Sequence, residues 1–451
     1  MATPLPAALD AASLSLWWGL PFAGLLLSIA TVPLFAAHFW HAHYGKVAAG
    51  WAVAFVVPFA LVFGPAQALH DVAHAILVEY IPFLAVLFAL FTIAGGICLR
   101  GRFPATPLRN TAILALGATL ASIMGTTGAS MLLIRPLLTA NEGRRYRTHA
   151  VVFFIVLVGN VGGALSPLGD PPLFIGFLKG VDFFWTTRML ALPTVLLVVA
   201  LLALFYVVDR VLFAREPHPV PTFAAPVKIG LEGTQNFVLL AAVVGAVLMS
   251  GLWQPGIAFD VLGTPVALQA ALRDVLLIAL ALVSLVITPK AIREHNVFHW
   301  APILEVAKIF AGIFVTIIPV LTILAAGGEG ALSWLSIFIR LPDGSVDNHA
   351  MFWITGVLSA FLDNAPTYLV FFNLAGGDAQ VLMGPKALTL EAISMAAVYF
   401  GALTYIGNAP NFMIKAIAED RDVAMPSFFA YVGWVTLLMA PLLFLVGRYA
   451  L

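Results

Sequence analysis

The residues most able to do chemistry lie in Gly159-Asn160-Val161-Gly162-Gly163-Ala164-Leu165-Ser166-Pro167-Leu168-Gly169-Asp170-Pro171-Pro172, between the apolar runs Val151–Val158 and Leu173–Leu178. Backbone that leaves the helix inside a bilayer loses its own hydrogen bonds. It is tolerated only where it is packed in protein or lines a wet cavity. A carboxylate at that depth is costly and marks function. A broken helix carrying one points to the ion site of a transporter. Asp170 followed by two prolines also suits an N-cap, and the two roles are compatible.

Three more polar clusters interrupt apolar sequence. Gly125-Thr126-Thr127-Gly128-Ala129-Ser130 offers hydroxyls and free carbonyls, Asp363-Asn364-Ala365-Pro366-Thr367 adds a carboxylate and an amide, and Gly407-Asn408-Ala409-Pro410-Asn411 carries amides alone. Hard cations prefer such oxygen ligands. In the first cluster small residues and threonines could equally serve helix packing. A sodium ion is expected at Asp170, Asp363, Asn160 and Asn364, with Thr126, Thr127, Asn408, Asn411, Ser166 and Thr367 as further cation- or proton-binding groups. Glu79 and Glu305 are expected at helix starts, where the dipole favours an acid, or in a proton relay. Lys308 is expected to pair with Glu305 one turn away, to carry a proton as a buried lysine, or in a carboxylate symporter to meet the anion. Arg135 either pairs with an acid or carbonyls, or holds a substrate carboxylate. His38, His41 and His43 read as solvated loop residues rather than metal ligands.

The elements that hold these groups are membrane helices. Of 451 residues, 62% are hydrophobic and 10% charged, against about 45–50% and about 25% in soluble domains. The formal net charge of zero leaves no nucleic-acid footprint, and one cysteine, Cys98, excludes intrachain disulfides. No Lys or Arg precedes Lys46, so the first apolar run is expected to stay as a helix. Walker-type, HExxH and GxSxG motifs are absent, which argues against ATP-driven transport and against an enzyme. No cofactor is expected beyond transported or coupling Na+ and H+.

Apolar stretches long enough to span a bilayer fall at 16–37, 47–64, 76–97, 149–178, 189–209, 236–252, 274–289, 302–325, 391–418 and 426–447, with 149–178 and 391–418 interrupted. The segments 110–140 and 350–375 read as re-entrant hairpins. A weak repeat relates the halves: Glu79 to Glu305, Ser122–Ser130 to Ser359–Thr367, and Gly159-Asn160 to Gly407-Asn408. With ten spans and two hairpins, Lys179, Arg188, Arg273, Arg340, Lys386 and Arg448 fall on one side. Every other Lys and Arg except Arg135 and Lys308 falls on the opposite side. The positive-inside rule makes the richer side cytoplasmic and turns both termini outward. The hairpins then enter from opposite faces, as inverted repeats.

Asn160-Val161-Gly162-Gly163 through Ser166-Pro167-Leu168-Gly169-Asp170 resembles the N-x-G-G…S-P-x-G-D signature of NhaD-type sodium/proton antiporters. Ser359-Ala360-Phe361-Leu362-Asp363-Asn364-Ala365-Pro366 is similar to their second hairpin. These proteins belong to the ion transporter superfamily, with citrate, dicarboxylate and arsenite carriers. The resemblance covers roughly 75–420. It implies inverted-repeat hairpins, a homodimer with an elevator-like transport domain, and sodium/proton exchange in the inner membrane. Thr126-Thr127 stands where that family usually carries Asp-Asn, a drift towards carboxylate symporters. The fold class expected is therefore an all-α polytopic membrane protein. Its parts are N-terminal scaffold helices (1–75), a first repeat (76–209), a cytoplasmic linker (210–235), further scaffold helices (236–301) and a second repeat (302–451). The expected function is exchange of Na+ or Li+ for protons, the alternative being sodium- or proton-coupled citrate or dicarboxylate symport. The expected partners are the lipid bilayer, small cations, a carboxylate anion in the alternative, and a second copy of the chain.

Overall fold

Apolar runs satisfy their backbone internally only as helices when no water is at hand, and helices are what these runs form. The computed structural model describes residues 14–102, 104–217, 227–326 and 330–451. The expected N-terminal residues 1–13 and the middle of the expected linker, 218–226, lie outside them. After a short 3-10 turn come α1 (Leu20–Phe35), α2 (Ala37–Phe63), α3 (Pro65–His74) and α4 (Ile81–Ala94), the last two joined by the π-turn Ala75–Tyr80. Next are α5 (Pro107–Met124), α6 (Thr126–Ala140), α7 (Thr148–Leu157), α8 (Pro171–Leu178), α9 (Trp185–Phe213), α10 (Gln235–Leu252) and α11 (Leu268–Ile287). The chain closes with α12 (Lys290–His295), α13 (Ala301–Thr316), α14 (Ile318–Ala325), α15 (Ser336–Ile339), α16 (Asn348–Leu362), α17 (Asn364–Leu374), α18 (Ala379–Met383), α19 (Ala387–Phe400), α20 (Ala409–Glu419) and α21 (Phe428–Ala450). Strand pairing is confined to two ribbons, β1 (Cys98–Arg102) with β2 (Val227–Glu232) and β3 (Ala258–Val261) with β4 (Thr264–Ala267).

The protein is an all-α polytopic membrane protein. Among the described residues eight helices are long and apolar enough to cross a bilayer, and the pair α13–α14, bent by 41°, makes a ninth. The tenth expected span, 391–418, is shorter in regular structure: α19, a 3-10 turn at Gly401–Leu403, and α20. The expected hairpin segments are helix pairs. α5 packs along α6 about Gly125, and α16 packs on α17 about Asp363.

Several local expectations change. The histidine cluster is helical, because α2 starts at Ala37, so His38, His41 and His43 do not lie in a loop. Glu79 is not at a helix start. It sits in the π-turn between α3 and α4, where Lys179 Nζ reaches its Oε1 at 2.6 Å. Glu305 lies a full turn inside α13. The expected Glu305–Lys308 pair does not form, since Lys308 Nζ sits 5.4 Å from the Tyr44 ring centre, a cation–π contact.

The scaffold is pinned by buried amides and guanidinium groups rather than by apolar packing alone. Asn236 of α10 bonds the Gly96 carbonyl and the hydroxyls of Ser284 and Thr288, and Arg293 donates to the carbonyls of Thr92 and Ser284. Two of these bonds reach α4 or its end, at Thr92 and Gly96, and the others tie α10 and α12 to α11, which together fixes one wall of the cavity described below.

Candidate functional site

Four backbone breaks build the site, and each has a local cause. Gly125, at φ +81°, lets the chain turn from α5 into α6. Asp363 makes the corresponding turn between α16 and α17 at φ +73°, a left-handed conformation unusual for a residue with a Cβ. Its carboxylate caps α17 by accepting from Ala365 N at 3.2 Å. The third and fourth breaks are the irregular segments between α7 and α8 and between α19 and α20. In both, prolines at the first turns set where the helix resumes.

The two irregular segments share one hydrogen-bond design. The Ser166 hydroxyl donates to the Ser122 carbonyl and accepts from Leu168 N. The Thr404 hydroxyl donates to the Ala360 carbonyl and accepts from Ile406 N and Gly407 N. Gly163 packs backbone to backbone against Gly169, and Gly401 against Gly407. Gly163-Ala164-Leu165-Ser166-Pro167-Leu168-Gly169-Asp170-Pro171-Pro172 thus corresponds to Gly401-Ala402-Leu403-Thr404-Tyr405-Ile406-Gly407-Asn408-Ala409-Pro410. The same register takes Gly125 to Asp363, Thr126 to Asn364 and Ser122 to Ala360.

This register corrects three expected correspondences. Gly407-Asn408 answers Gly169-Asp170, not Gly159-Asn160. Gly125-Thr126, not Thr126-Thr127, stands opposite Asp363-Asn364. Glu79 does not answer Glu305: aligning the helix irregularities that precede Ile81-Pro82 and Ile318-Pro319, one residue off that register, puts Thr316 opposite Glu79. Residue type misled the first comparison, and the backbone turns settle it.

The breaks converge on Asp170. Its side chain, 1% exposed, does not cap its own helix, so the plain N-cap reading falls. Instead Oδ1 accepts from Thr126 Oγ1 at 3.2 Å and from Asn408 Nδ2 at 3.0 Å, and Oδ2 accepts from Asn364 Nδ2. Asn408 also donates to Asn160 Oδ1 and the Gly159 carbonyl, and Asn160 Nδ2 donates to Asn411 Oδ1 at 2.7 Å. Asn411 in turn braces the carbonyls of Gly401 and Thr404. One network therefore joins Asp170, Thr126, Asn364, Asn408, Asn160 and Asn411. In it Asn364 Oδ1 is buried without a hydrogen-bond partner. An orphan acceptor beside a carboxylate is what a bound cation would satisfy.

A cavity of about 400 Å³ opens from this cluster and is lined by Thr126, Thr127, Asp170, Asp363 and Asn408 at its polar end. It extends along α4, α6, α13 and α20 to His41, His299 and Asp420, and Arg135 and Glu305 also line it. Two expected ligands are committed elsewhere. Ser166 pins the break as above, and the Thr367 hydroxyl bonds back to the Asp363 carbonyl within α17. Neither Glu79 nor Lys308 lines the cavity. Among the described residues no group of three or more His, Cys, Asp and Glu could hold a metal ion.

Sequence reasoning missed one buried ionic cluster away from the cavity. Arg144 pairs with Asp209, which also accepts from His149 and Asn110, while Glu216 accepts from the backbone of Arg145 and Tyr146. This ties the α6–α7 connection to the end of α9. No spacing in the sequence brings these residues together.

Helices broken at buried polar breaks, with a carboxylate at their meeting point and an aqueous-sized cavity leading to it, define a membrane transporter. The chain belongs to the family described as "Putative citrate transport", whose profile matches residues 11–449. A comparison with curated proteins finds no match. The family and the helical fold together point to a secondary transporter of the citrate-carrier type.

Proposed function

We propose that the protein exchanges Na+ or Li+ for protons across the inner (plasma) membrane by alternating access, as its resemblance to NhaD-type antiporters implies. The observation that carries this reading is Asp170. A carboxylate so buried, ringed by Thr126, Asn364 and Asn408 with no basic partner, must carry a proton or a cation. Either occupant excludes the other, which is the chemistry of antiport. Asp363, at the same end of the cavity, is the second carboxylate of the exchange. Thr126, Thr127, Asn364 and Asn408 supply neutral oxygens, while Asn160 and Asn411 hold the two breaks together. In this reading the repeats are inverted, both termini face outward, the cavity mouth at His41, His299 and Asp420 faces the cytoplasm, and the working unit is a homodimer.

A second reading, cation-coupled symport of citrate or a dicarboxylate, is equally compatible with the family match over residues 11–449. Here Asp170 and Asp363 hold the coupling ion. Purified protein in liposomes containing a pH-sensitive dye separates the two. Antiport predicts that added sodium or lithium dissipates a preset pH gradient and that Asp170→Asn and Asp363→Asn abolish the response. A silent dye, with labelled citrate entering on a sodium gradient, would replace antiport by symport.

A further inference from the structure

We propose that Arg135 is an anion-recognising residue of the cavity, the attachment point for a carboxylate-bearing organic ligand, separate from the cation cluster. It extends the second reading of function by assigning a residue to the anion. Thr127, Met131 and Arg135 follow one another at helical spacing along the face of α6 that lines the cavity. Arg135 therefore looks into the same space as the cation cluster, about 12 Å further along the helix.

The guanidinium has no counter-charge. Its Nη1 is buried without a hydrogen-bond partner, and it makes no ion pair among the described residues. Arg421, a second cation, and the Cys98 thiol lie close enough to act on it. Asp420 lines the mouth but is exposed and unpaired with Arg135, and Glu305 faces Trp40 and His41. A guanidinium offers donors only, in a fork that matches a carboxylate. Left bare on the approach to a cation site it would repel the cation it must admit. Occupied by a carboxylate, it would not.

The surroundings choose the kind of anion. Leu90, Phe91, Met131, Ile303 and Met413 line the same space, which suits a ligand with a carbon skeleton better than a compact inorganic oxyanion. The cavity volume, about 400 Å³, falls in the range of small-molecule sites. Lys308, on α13, is withdrawn onto Tyr44.

The test is calorimetric titration of the full chain in lipid nanodiscs with citrate, succinate, sulfate and phosphate. Wild type should bind citrate or succinate saturably and more tightly than either inorganic anion. Arg135→Gln should weaken that binding about tenfold or more, and Arg135→Lys, which keeps the charge but loses the fork, should fall between. Unchanged carboxylate affinity in a folded Arg135→Gln or Arg135→Lys protein would overturn the proposal. So would equal binding of sulfate or phosphate, or no anion binding by wild type at millimolar concentrations. Arg135-dependent citrate binding without citrate uptake in liposomes would leave Arg135 as an anion site and remove only the symport reading.

Discussion

Asp170 and Asp363 are both carboxylates at the polar end of one cavity, yet their settings differ. Asp170 is saturated by side chains from three other breaks, whereas Asp363 spends one oxygen capping its own helix and turns the chain at φ +73°. The orphan Oδ1 of Asn364 makes a specific prediction. Asn364→Ala should weaken sodium affinity about tenfold, read from the sodium dependence of dye dequenching, because it removes an oxygen the cation needs. Thr126→Val, which removes one hydroxyl bond to Asp170, should cost about 1 kcal/mol of stability in thermal melting. Asp363 separates backbone from charge. The residue at the matching turn is Gly125, so Asp363→Gly should fold at least as well as wild type while losing sodium-driven proton movement. Asp363→Ala, which keeps the Cβ in left-handed backbone, should melt below Asp363→Gly by the equivalent of about 1 kcal/mol. Equal melting of the two variants would refute strain at this turn.

The two irregular segments are elements in their own right, built on paired glycines and one hydroxyl each. A Cβ on Gly169 would collide with the Gly163 carbonyl oxygen, and one on Gly407 would stand 2.7 Å from that of Gly401. Gly169→Ala should therefore cost on the order of 3–5 kcal/mol and deplete folded protein, with Gly407→Ala the milder of the two. Detergent-solubilised yield and melting temperature measure this. These elements also show what the sequence could convey. Apolar run length located the helix pairs and breaks to within a few residues, because bilayer thickness sets helix length. Asp170, Asp363, Asn364 and Asn408 were legible because polar groups in apolar sequence are costly. The register between the halves was not legible from the one Gly-Asn pair in each half, Gly159-Asn160 and Gly407-Asn408, since residue type alone does not say which backbone turn a pair occupies. The signal was the Gly-Ala-Leu-Ser/Thr run at Gly163–Ser166 and Gly401–Thr404, whose hydroxyl pins the turn. The Arg144–Asp209–Glu216 cluster was illegible, because its members meet only through tertiary packing.

At the scale of the molecule, one cavity runs from the carboxylates to the exposed residues His41, His299 and Asp420. α8, which starts beside Asp170, ends at Lys179, which is held by Glu79 beside α4 and does not line the cavity. An asymmetric path of this kind is one state of an alternating-access cycle. With Cys98 replaced by Ala, a cysteine introduced at Met413 on the cavity wall should react with a membrane-impermeant thiol reagent added from the cytoplasmic side, and slowly from the outside. Equal labelling from both sides would contradict a one-sided cavity. Competition between cation and proton also fixes the sign of the pH response: the sodium concentration for half-maximal exchange should fall as pH rises, because fewer protons contest the carboxylates. The most direct measurement is proton release from purified protein in weakly buffered solution on addition of sodium chloride, with choline chloride as the control. The account predicts that sodium acidifies the medium around wild type and leaves it unchanged around Asp170→Asn. Undiminished proton release by Asp170→Asn would contradict a cation site centred on that carboxylate.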